Sequence, residues 1–341
     1  MPSRLGRNIE QVLGNIDISQ YVMLDDQVPL DPEQFYNSFG HLQHPRTKKP
    51  VKELAPYQIK VWKAMLEQRR VLVVKTHKCG LSTSQLMADF QLAVLPSSHP
   101  LSTRGYDTLL VSQTKDIAKE LLRTLRRMIL HSKKYSKYLI DRPTEIEEFG
   151  SGHISYQKIM RDEQTKTSVI YIRNPEDETR PSRIIALGAD NPGSIESWPN
   201  IHHIHISDIT ATIGDYSDSL NVAITRLANT GGTMVIESIP DFAGSTLHQL
   251  YEKYQARQSR LAIGQDFATF EITADEAVAA GVMTPEHLAS ERERLGPLFP
   301  RYYGAKFLSS GNAWYDESLI QYFEDDDDDE EEEETEWEVS R

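Results

Sequence analysis

VLVVKTHKCGLSTSQLMADFQLAVL, residues 71–95, contains three segments with three different rhythms. The opening apolar run is rich in Val and reads as a strand that stops at Lys75. A short polar turn carrying Gly80 and Ser82 follows, and then Leu86, Phe90 and Val94 recur at helical spacing. Strand, glycine turn and helix form the architecture of a phosphate-binding loop, where backbone N–H groups and the positive end of a helix face an anion. The usual signature is G-x-x-x-x-G-K-[ST]. Gly80 and Ser82 keep its second glycine and its hydroxyl, but Leu81 stands where the lysine belongs. Two lysines lie upstream instead, Lys75 and Lys78.

The alternation continues on both sides. A helix over Tyr57 to Gln68 delivers the chain to the first strand, with Ile59, Trp62, Met65 and Leu66 on one face. Strands are predicted at 108–113, 168–173, 183–187, 201–207, 233–238 and 267–272. Helices are predicted at 115–131, 217–228, 246–258, 274–279 and 285–295. The last opens with Thr284 as N-cap and Pro285 at the first helical position. This order predicts an α/β fold with a mostly parallel central sheet and helical crossovers. Residues 1–50 are polar and punctuated by proline, with a weak helical pattern near Ile9 to Ile16, and read as a loosely packed arm. The aromatic-rich stretch 297–323 is expected to pack back on the core.

The chain has 341 residues and a formal charge of −14, but most of that charge is local. Between Glu324 and Glu338 there are 13 acidic residues. Removing them from the 51 acids, and Arg341 from the 37 bases, leaves 38 against 36, or about −2 for the body. Residues 324–341 are therefore expected to be a disordered acidic tail, since like charges repel and little apolar surface offsets the ordering entropy. That leaves 51–323 as the folded domain. A single cysteine, Cys79, excludes an internal disulfide and suits a reducing compartment. No apolar run approaches the ~20 residues needed to span a bilayer. A soluble, cytoplasmic protein with no membrane partner is expected.

Candidate site residues gather where strands end. IHHIHIS (201–207) is an alternating strand that stops at Asp208, as a Walker B strand does, whose carboxylate reaches Mg²⁺ directly or through water. TMVIES (233–238) places Glu237 and Ser238 at the same sheet edge as Lys75 and Asp208, the edge where parallel sheets bind ligands. An ordinary βα junction accounts for the same spacing. Of His202, His203 and His205, only the last two can converge, because successive strand residues point to opposite faces. With no nearby Cys and no third spaced ligand, they fall short of a zinc site. Arg123, Arg126, Arg127, Lys133, Lys134 and Lys137 form a basic stretch. It reads either as a solvated helix face or as a patch that tracks nucleic-acid phosphates.

Taken together and in this order, the blocks resemble the ATPase domain of viral, tailed-phage type terminase large subunits, the motors that package double-stranded DNA into procapsids. The resemblance runs from Pro56 to Ile320. PYQ (56–58) is similar to the family's adenine-contacting glutamine motif, and KTHKCGLST (75–83) to its deviant Walker A, in which the functional lysine opens the loop. LLVSQTKDIAKELL (109–122), VIESIPDFAGSTLHQLYEKY (235–254) and residues 280–311 resemble later family blocks. The resemblance implies a P-loop NTPase of the ASCE/RecA-like kind, with ATP and Mg²⁺ as cofactors. It implies that Tyr57 and Gln58 lie at adenine, and that Lys75, Thr76, His77, Lys78, Cys79, Gly80, Leu81, Ser82 and Thr83 wrap the phosphates. Lys75 would hold β/γ-phosphate oxygens, Ser82 and Asp208 would ligate Mg²⁺, and Ser238 would sense the γ-phosphate.

The chain departs from the family in three places. Ile209 replaces the expected general-base glutamate, so Glu237 is the nearest candidate to substitute for it. Tyr303 stands where a glutamate is common, and Arg226 and Arg301 are the arginine-finger candidates. No nuclease-type strand pattern follows Tyr322, so DNA cleavage by this polypeptide alone is not expected; a nuclease on a separate chain and a truncated or repurposed relative are the two readings of that difference. The implied partners are double-stranded DNA, further copies of the chain in a ring, a portal protein and a small terminase subunit, in the host cytoplasm. A non-hydrolysing nucleotide- or DNA-binding relative, acting as a regulatory or assembly subunit, is the alternative. A helicase-like ATPase is a third reading.

Overall fold

The computed structural model describes residues 28–40, 42, 50–96, 99–103, 105–140, 168–174, 180–209, 216–260 and 267–309. The expected acidic tail and the weak helix near Ile9 lie outside them. The strands are β1 (Arg70–Lys75), β2 (Asp107–Ser112), β3 (Val169–Ile172), β4 (Ser182–Gly188), β5 (His203–Ser207), β6 (Thr233–Ser238) and β7 (Phe267–Ile272). They form one seven-stranded sheet in the order β3-β4-β2-β5-β6-β1-β7. All pairings are parallel except that of β3, an edge strand lying antiparallel to β4. The α/β class with a mostly parallel sheet is as expected.

The helices are α1 (Pro32–Phe39), α2 (Pro56–Glu67), α3 (Leu81–Ala93), α4 (Lys115–His131), α5 (Pro192–Glu196), α6 (Ser217–Arg226), α7 (Thr246–Arg260), α8 (Ala274–Ala279), α9 (Pro285–Leu295) and α10 (Phe299–Tyr302). Period-two alternation along the strands divides the core into two layers. Val71 and Val73 of β1 and Val235 of β6 pack with α1 to α4. Leu72 and Val74 of β1, with Ile204 and Ile206 of β5, pack with α5, α6 and α7 on the other face. Because β5, β6 and β1 are neighbours, their C-terminal ends meet at one edge. Glu237 is in register with Val73 on one side and Ser207 on the other.

α3 is buried along almost its whole length, under α1, α2 and α4. Trp62 of α2 donates its indole N–H to Gln91 Oε1 of α3 at 2.7 Å, which satisfies a polar group that burial would otherwise penalise.

Residues 28–40 depart from the expected loose arm. Asp31 caps α1 by accepting from the N–H groups of Glu33 and Gln34, and Pro32 opens the helix. Phe35, Tyr36 and Phe39 then form one face that is at most 2 % exposed. Phe35 meets the Trp62 ring edge-on at 5.8 Å and stacks on Tyr135 at 5.1 Å, and Phe39 meets Phe90 edge-on at 5.7 Å. The polar average of the segment hides three aromatics at helical spacing. Among the described residues, no helix is long and apolar enough to cross a membrane.

Phe35→Ala should lower the unfolding free energy by about 3–5 kcal/mol, the range for a buried aromatic truncated in a tight core. Urea denaturation of the native and variant chains measures this. A loss below about 1 kcal/mol would mean that α1 is peripheral to the fold.

Candidate active site

Everything at the sheet edge turns on the Lys75 ammonium. Lys75 ends β1, is 6 % exposed, and projects into the α3 layer that Val71 and Val73 share. Its Nζ lies 2.6 Å from Glu237 Oε2, 3.0 Å from Asp208 Oδ1 and 2.9 Å from Ser82 Oγ. Glu237 comes from β6, Asp208 follows β5, and Ser82 is in the first turn of α3. The Ser82 hydroxyl in turn donates to Glu237 Oε2 at 3.2 Å. Leu81, at the position where the usual signature has its lysine, is apolar and packed in the core at 1 % exposure.

The loop from Thr76 to Gly80 holds a left-handed turn. Gly80 has φ +70° and serves as the N-cap residue of α3, and Lys78 has φ +55°. The positive φ favours glycine at position 80, where a Cβ would also press on the Gln58 amide nitrogen at 2.9 Å. Tyr57 donates its hydroxyl to the Cys79 carbonyl at 2.7 Å, and the Gln58 amide donates to the same oxygen at 3.2 Å. Gln58 also accepts from the Ala55 N–H, so both ends of its amide brace α2 and the loop. On the far side, the Thr76 N–H donates to the Ile272 carbonyl, and the His77 N–H donates to the Tyr302 carbonyl while its ring stacks on Tyr302 at 5.1 Å. The loop is thus pinned by α2 before it and by β7 and α10 far after it. Lys75 through Thr83, with Asp208 and Ile239, line a cavity of about 200 Å³.

Asp208 has φ +52°, an uncommon conformation for a residue with a side chain, and its N–H donates to the Glu237 carbonyl. Ser238 is buried, but its hydroxyl is turned to the Ile209 carbonyl at 2.9 Å, where it ties the ends of β5 and β6 together. Thr83 and Lys78 line both this cavity and a neighbouring cleft of about 1330 Å³. Arg127, Lys133 and Lys134 of the basic stretch line that cleft as well, with His131 beside them. Elsewhere in the stretch, Arg123 and Arg127 pair with Glu120. Of the arginine candidates, Arg226 pairs with Glu196 at 3.2 Å. Arg301 is 3 % exposed and donates to the Pro240 carbonyl just beyond Ser238. Tyr303 is also buried, against His287.

The two strand histidines converge, as alternation requires, but on a residue that sequence reasoning passed over. Asp89 of α3 is fully buried, with Oδ2 2.7 Å from His205 Nδ1 and Oδ1 3.3 Å from His203 Nε2. The second contact is close but not oriented as a hydrogen bond. His203 Nδ1 meets the Thr233 hydroxyl at 2.7 Å, and His205 Nε2 reaches Glu237 Oε1 at 3.4 Å. Ser207 donates to the same Oε1 at 2.7 Å. A charged residue inside the apolar helix LMADFQL was the signal available in the sequence. Among the described residues, no group of three or more His, Cys, Asp or Glu is arranged to hold a metal ion.

These contacts fix the ionisation states. Burial opposes charge on Lys75, but the Glu237 and Asp208 carboxylates outweigh it and hold its pKa above the ordinary lysine value. Burial likewise opposes charge on Glu237, yet Lys75 and His205 bring its carboxyl well below the usual range. Asp208 is pushed up, by desolvation first and by the Glu237 charge, with Lys75 opposing. His203 is lowered by burial, so it is neutral. His205 would be lowered by burial too, but Asp89 and then Glu237 raise it to about 10. Burial pushes the Cys79 thiol up to about 11.

The fold and site together define a class: a mostly parallel α/β sheet with a glycine-turned loop cradling its C-terminal edge. No protein-family profile matches the sequence, and no curated protein is similar to it in sequence. Solved structures are similar in fold. The ATPase domain of the Thermus phage P74-26 large terminase superposes with a TM-score of 0.52 at 14 % identity, over 82 % of this chain and 100 % of that one. The HK97 bacteriophage large terminase gives 0.54 at 11 % identity, over 81 % of this chain and 55 % of that one. The large terminase of a further thermophilic bacteriophage gives 0.52 at 10 % identity, over 75 % of this chain and 54 % of that one. This chain therefore has the fold of phage large-terminase ATPase domains, and spans about half the length of the latter two proteins.

His205 sets a pH dependence. Its pKa in the folded chain is raised from 6.5 to about 10, so its stabilising contribution is full below about 6.5 and is lost as pH rises through 10. Urea midpoints measured between those limits should fall for the native chain and change less for His205→Gln. Parallel curves would contradict the assignment.

Proposed function

We propose that the chain is an ATP hydrolase of the terminase type, which couples hydrolysis to movement of double-stranded DNA into a viral procapsid. The observation that carries this is the Lys75 ammonium held by oxygen donors from three separate βα units, beside a glycine-turned loop at a helix N-terminus. A cation enclosed by Ser82, Asp208 and Glu237 marks a place where charge is handled. The similarity of fold to large-terminase ATPase domains supports the same reading.

In this reading the triphosphate draws Lys75 off Glu237, and its ammonium moves to β/γ-phosphate oxygens. The N–H groups of the 76–83 loop face the phosphate chain. Ser82 and Asp208 suit Mg²⁺, being hard oxygen donors that already converge within 3.1 Å of one positive nitrogen. When bound, the metal neutralises charge building on the phosphate oxygens. Glu237, released from Lys75, orients a water and takes its proton as that water's oxygen attacks the γ-phosphorus and ADP departs. Ser238 couples loss of the phosphate to the β5 and β6 ends, which it already ties. Tyr57 and Gln58 border the base.

The domain would be residues 51–323 together with α1, which packs in its core, and the acidic tail would follow it. It would act in the host cytoplasm as a homo-oligomeric ring, with a portal protein and a small terminase subunit. The alternative is a non-hydrolysing regulatory or assembly subunit that binds nucleotide or DNA. It is favoured by one observation: Ile209, 6 % exposed, follows Asp208 where a glutamate would be expected.

Steady-state ATP hydrolysis, with and without duplex DNA, separates the two. Lys75→Ala should lower kcat roughly 100-fold or more, the scale for loss of a charge-stabilising group. Equal rates for native and variant chains would remove the hydrolase reading, and nucleotide binding without turnover in the native chain would favour the alternative.

A further inference from the structure

Glu237 has four polar partners, divided between its two oxygens. Oε2 faces the loop, where it meets Lys75 Nζ and Ser82 Oγ. Oε1 faces β5, where it meets Ser207 Oγ at 2.7 Å and His205 Nε2 at 3.4 Å. The proposed function assigns one Oε2 partner, Lys75, to the incoming phosphates and the other, Ser82, to Mg²⁺. Once they leave, Glu237 is a wholly buried carboxylate with only its Oε1 side anchored.

That anchor extends further. His205 is itself fully buried, with its other nitrogen 2.7 Å from Asp89 Oδ2. Asp89 lies in α3, the helix whose first turn carries Ser82. Nothing in the packing requires this row of charges. The opposite face of β5 carries Ile204 and Ile206, and apolar residues of similar volume often replace a buried ion pair with no loss of stability. A carboxylate–imidazole–carboxylate row of fully buried side chains fixes the ring at both nitrogens and so fixes the direction of the hydrogen bond given to Glu237.

We propose that Asp89 and His205 are a positioning pair: they hold the Glu237 carboxylate in place and in line with the loop after Lys75 has left it for the nucleotide. This rests on the hydrolase reading. His205 acts through Glu237 and touches no substrate, and Asp89 acts through His205. Both are therefore positioning residues, and the P-loop helix and the base belong to one hydrogen-bonded unit.

The test uses the full chain and Mg²⁺-ATP, comparing His205→Leu, His205→Gln, Asp89→Asn and the Asp89→Asn/His205→Gln double variant, each checked for a cooperative melt. His205→Leu should lose about tenfold or more in kcat with KM for ATP changed by no more than about twofold, the pattern of an interaction absent from ground-state binding. His205→Gln, whose amide can still donate towards Oε1, should recover much of that loss. Asp89→Asn should lower kcat as well, and adding it to His205→Gln should cost little more, because Asp89 acts only through the ring. A folded His205→Leu with native kcat, or fully additive Asp89 and His205 effects, would overturn the proposal. If His205→Leu fails to fold, the Gln and Asn variants decide it by the same kcat and additivity criteria.

If the native chain does not turn over ATP, the hydrolase reading fails separately, and nitrogen-15 NMR of the His205 ring in the presence of a Mg²⁺–ATP analogue decides the pair. Two protonated, hydrogen-bonded ring nitrogens at pH 8 support it, and one protonated nitrogen overturns it.

Discussion

A lysine ammonium taken out of water must find negative partners, and in this chain that requirement binds three parts of the fold. Lys75 belongs to β1, yet its partners come from the turn into α3, the end of β5 and the end of β6. Removing one member of a buried ion pair leaves an uncompensated charge and costs about 3–5 kcal/mol, a large fraction of a domain's whole stability. The loop, the sheet order and the ionised state of Glu237 therefore stand or fall together. The strand order β5-β6-β1 makes the arrangement possible, because it is what brings these strand ends side by side.

The polar layer beneath the loop follows from the same geometry. HIHIS alternates, so β5 gives isoleucines to one face and His203, His205 and Ser207 to the other. Burying three polar side chains on one face is tolerable only if each finds a partner. Asp89, Thr233 and Glu237 supply them. The outcome is a stripe of hydrogen bonds between α3 and the sheet. It gives the site a rigid floor while the loop above it, with positive φ at Lys78 and Gly80, supplies the concave wall.

What the sequence revealed, and what it hid, divides along the line between local and distant. The strand–turn–helix at 71–95, the helix over 115–131 and the strand at 233–238 are visible because periodicity is local, and the observed bounds agree closely. Lys75, Ser82, Asp208 and Glu237 could be gathered at one edge because parallel strands place their ends together. The brace of the loop by Tyr302, the burial of Arg301 against Pro240 and the role of Asp89 depend on contacts 61 or more residues apart in chain order, which no spacing rule reports. The packing of α1 was hidden differently. Its composition is polar on average, and only the i, i+1, i+4 placement of Phe35, Tyr36 and Phe39 marks a buried face. Gln58 is found bracing the Cys79 carbonyl, a structural duty its short motif does not announce.

On the proposed function, Lys75 is a movable cation that rests on Glu237 until a magnesium-bound triphosphate draws it away. A crystal structure of the full chain with Mg²⁺ and a non-hydrolysable ATP analogue tests this most directly. The Lys75 amine should lie on phosphate oxygens, the metal beside Ser82 and Asp208, and Glu237 should be free of lysine but still held by Ser207 and His205. Nucleotide bound away from the 75–83 loop, or lysine still paired to Glu237 with the triphosphate in place, would contradict it.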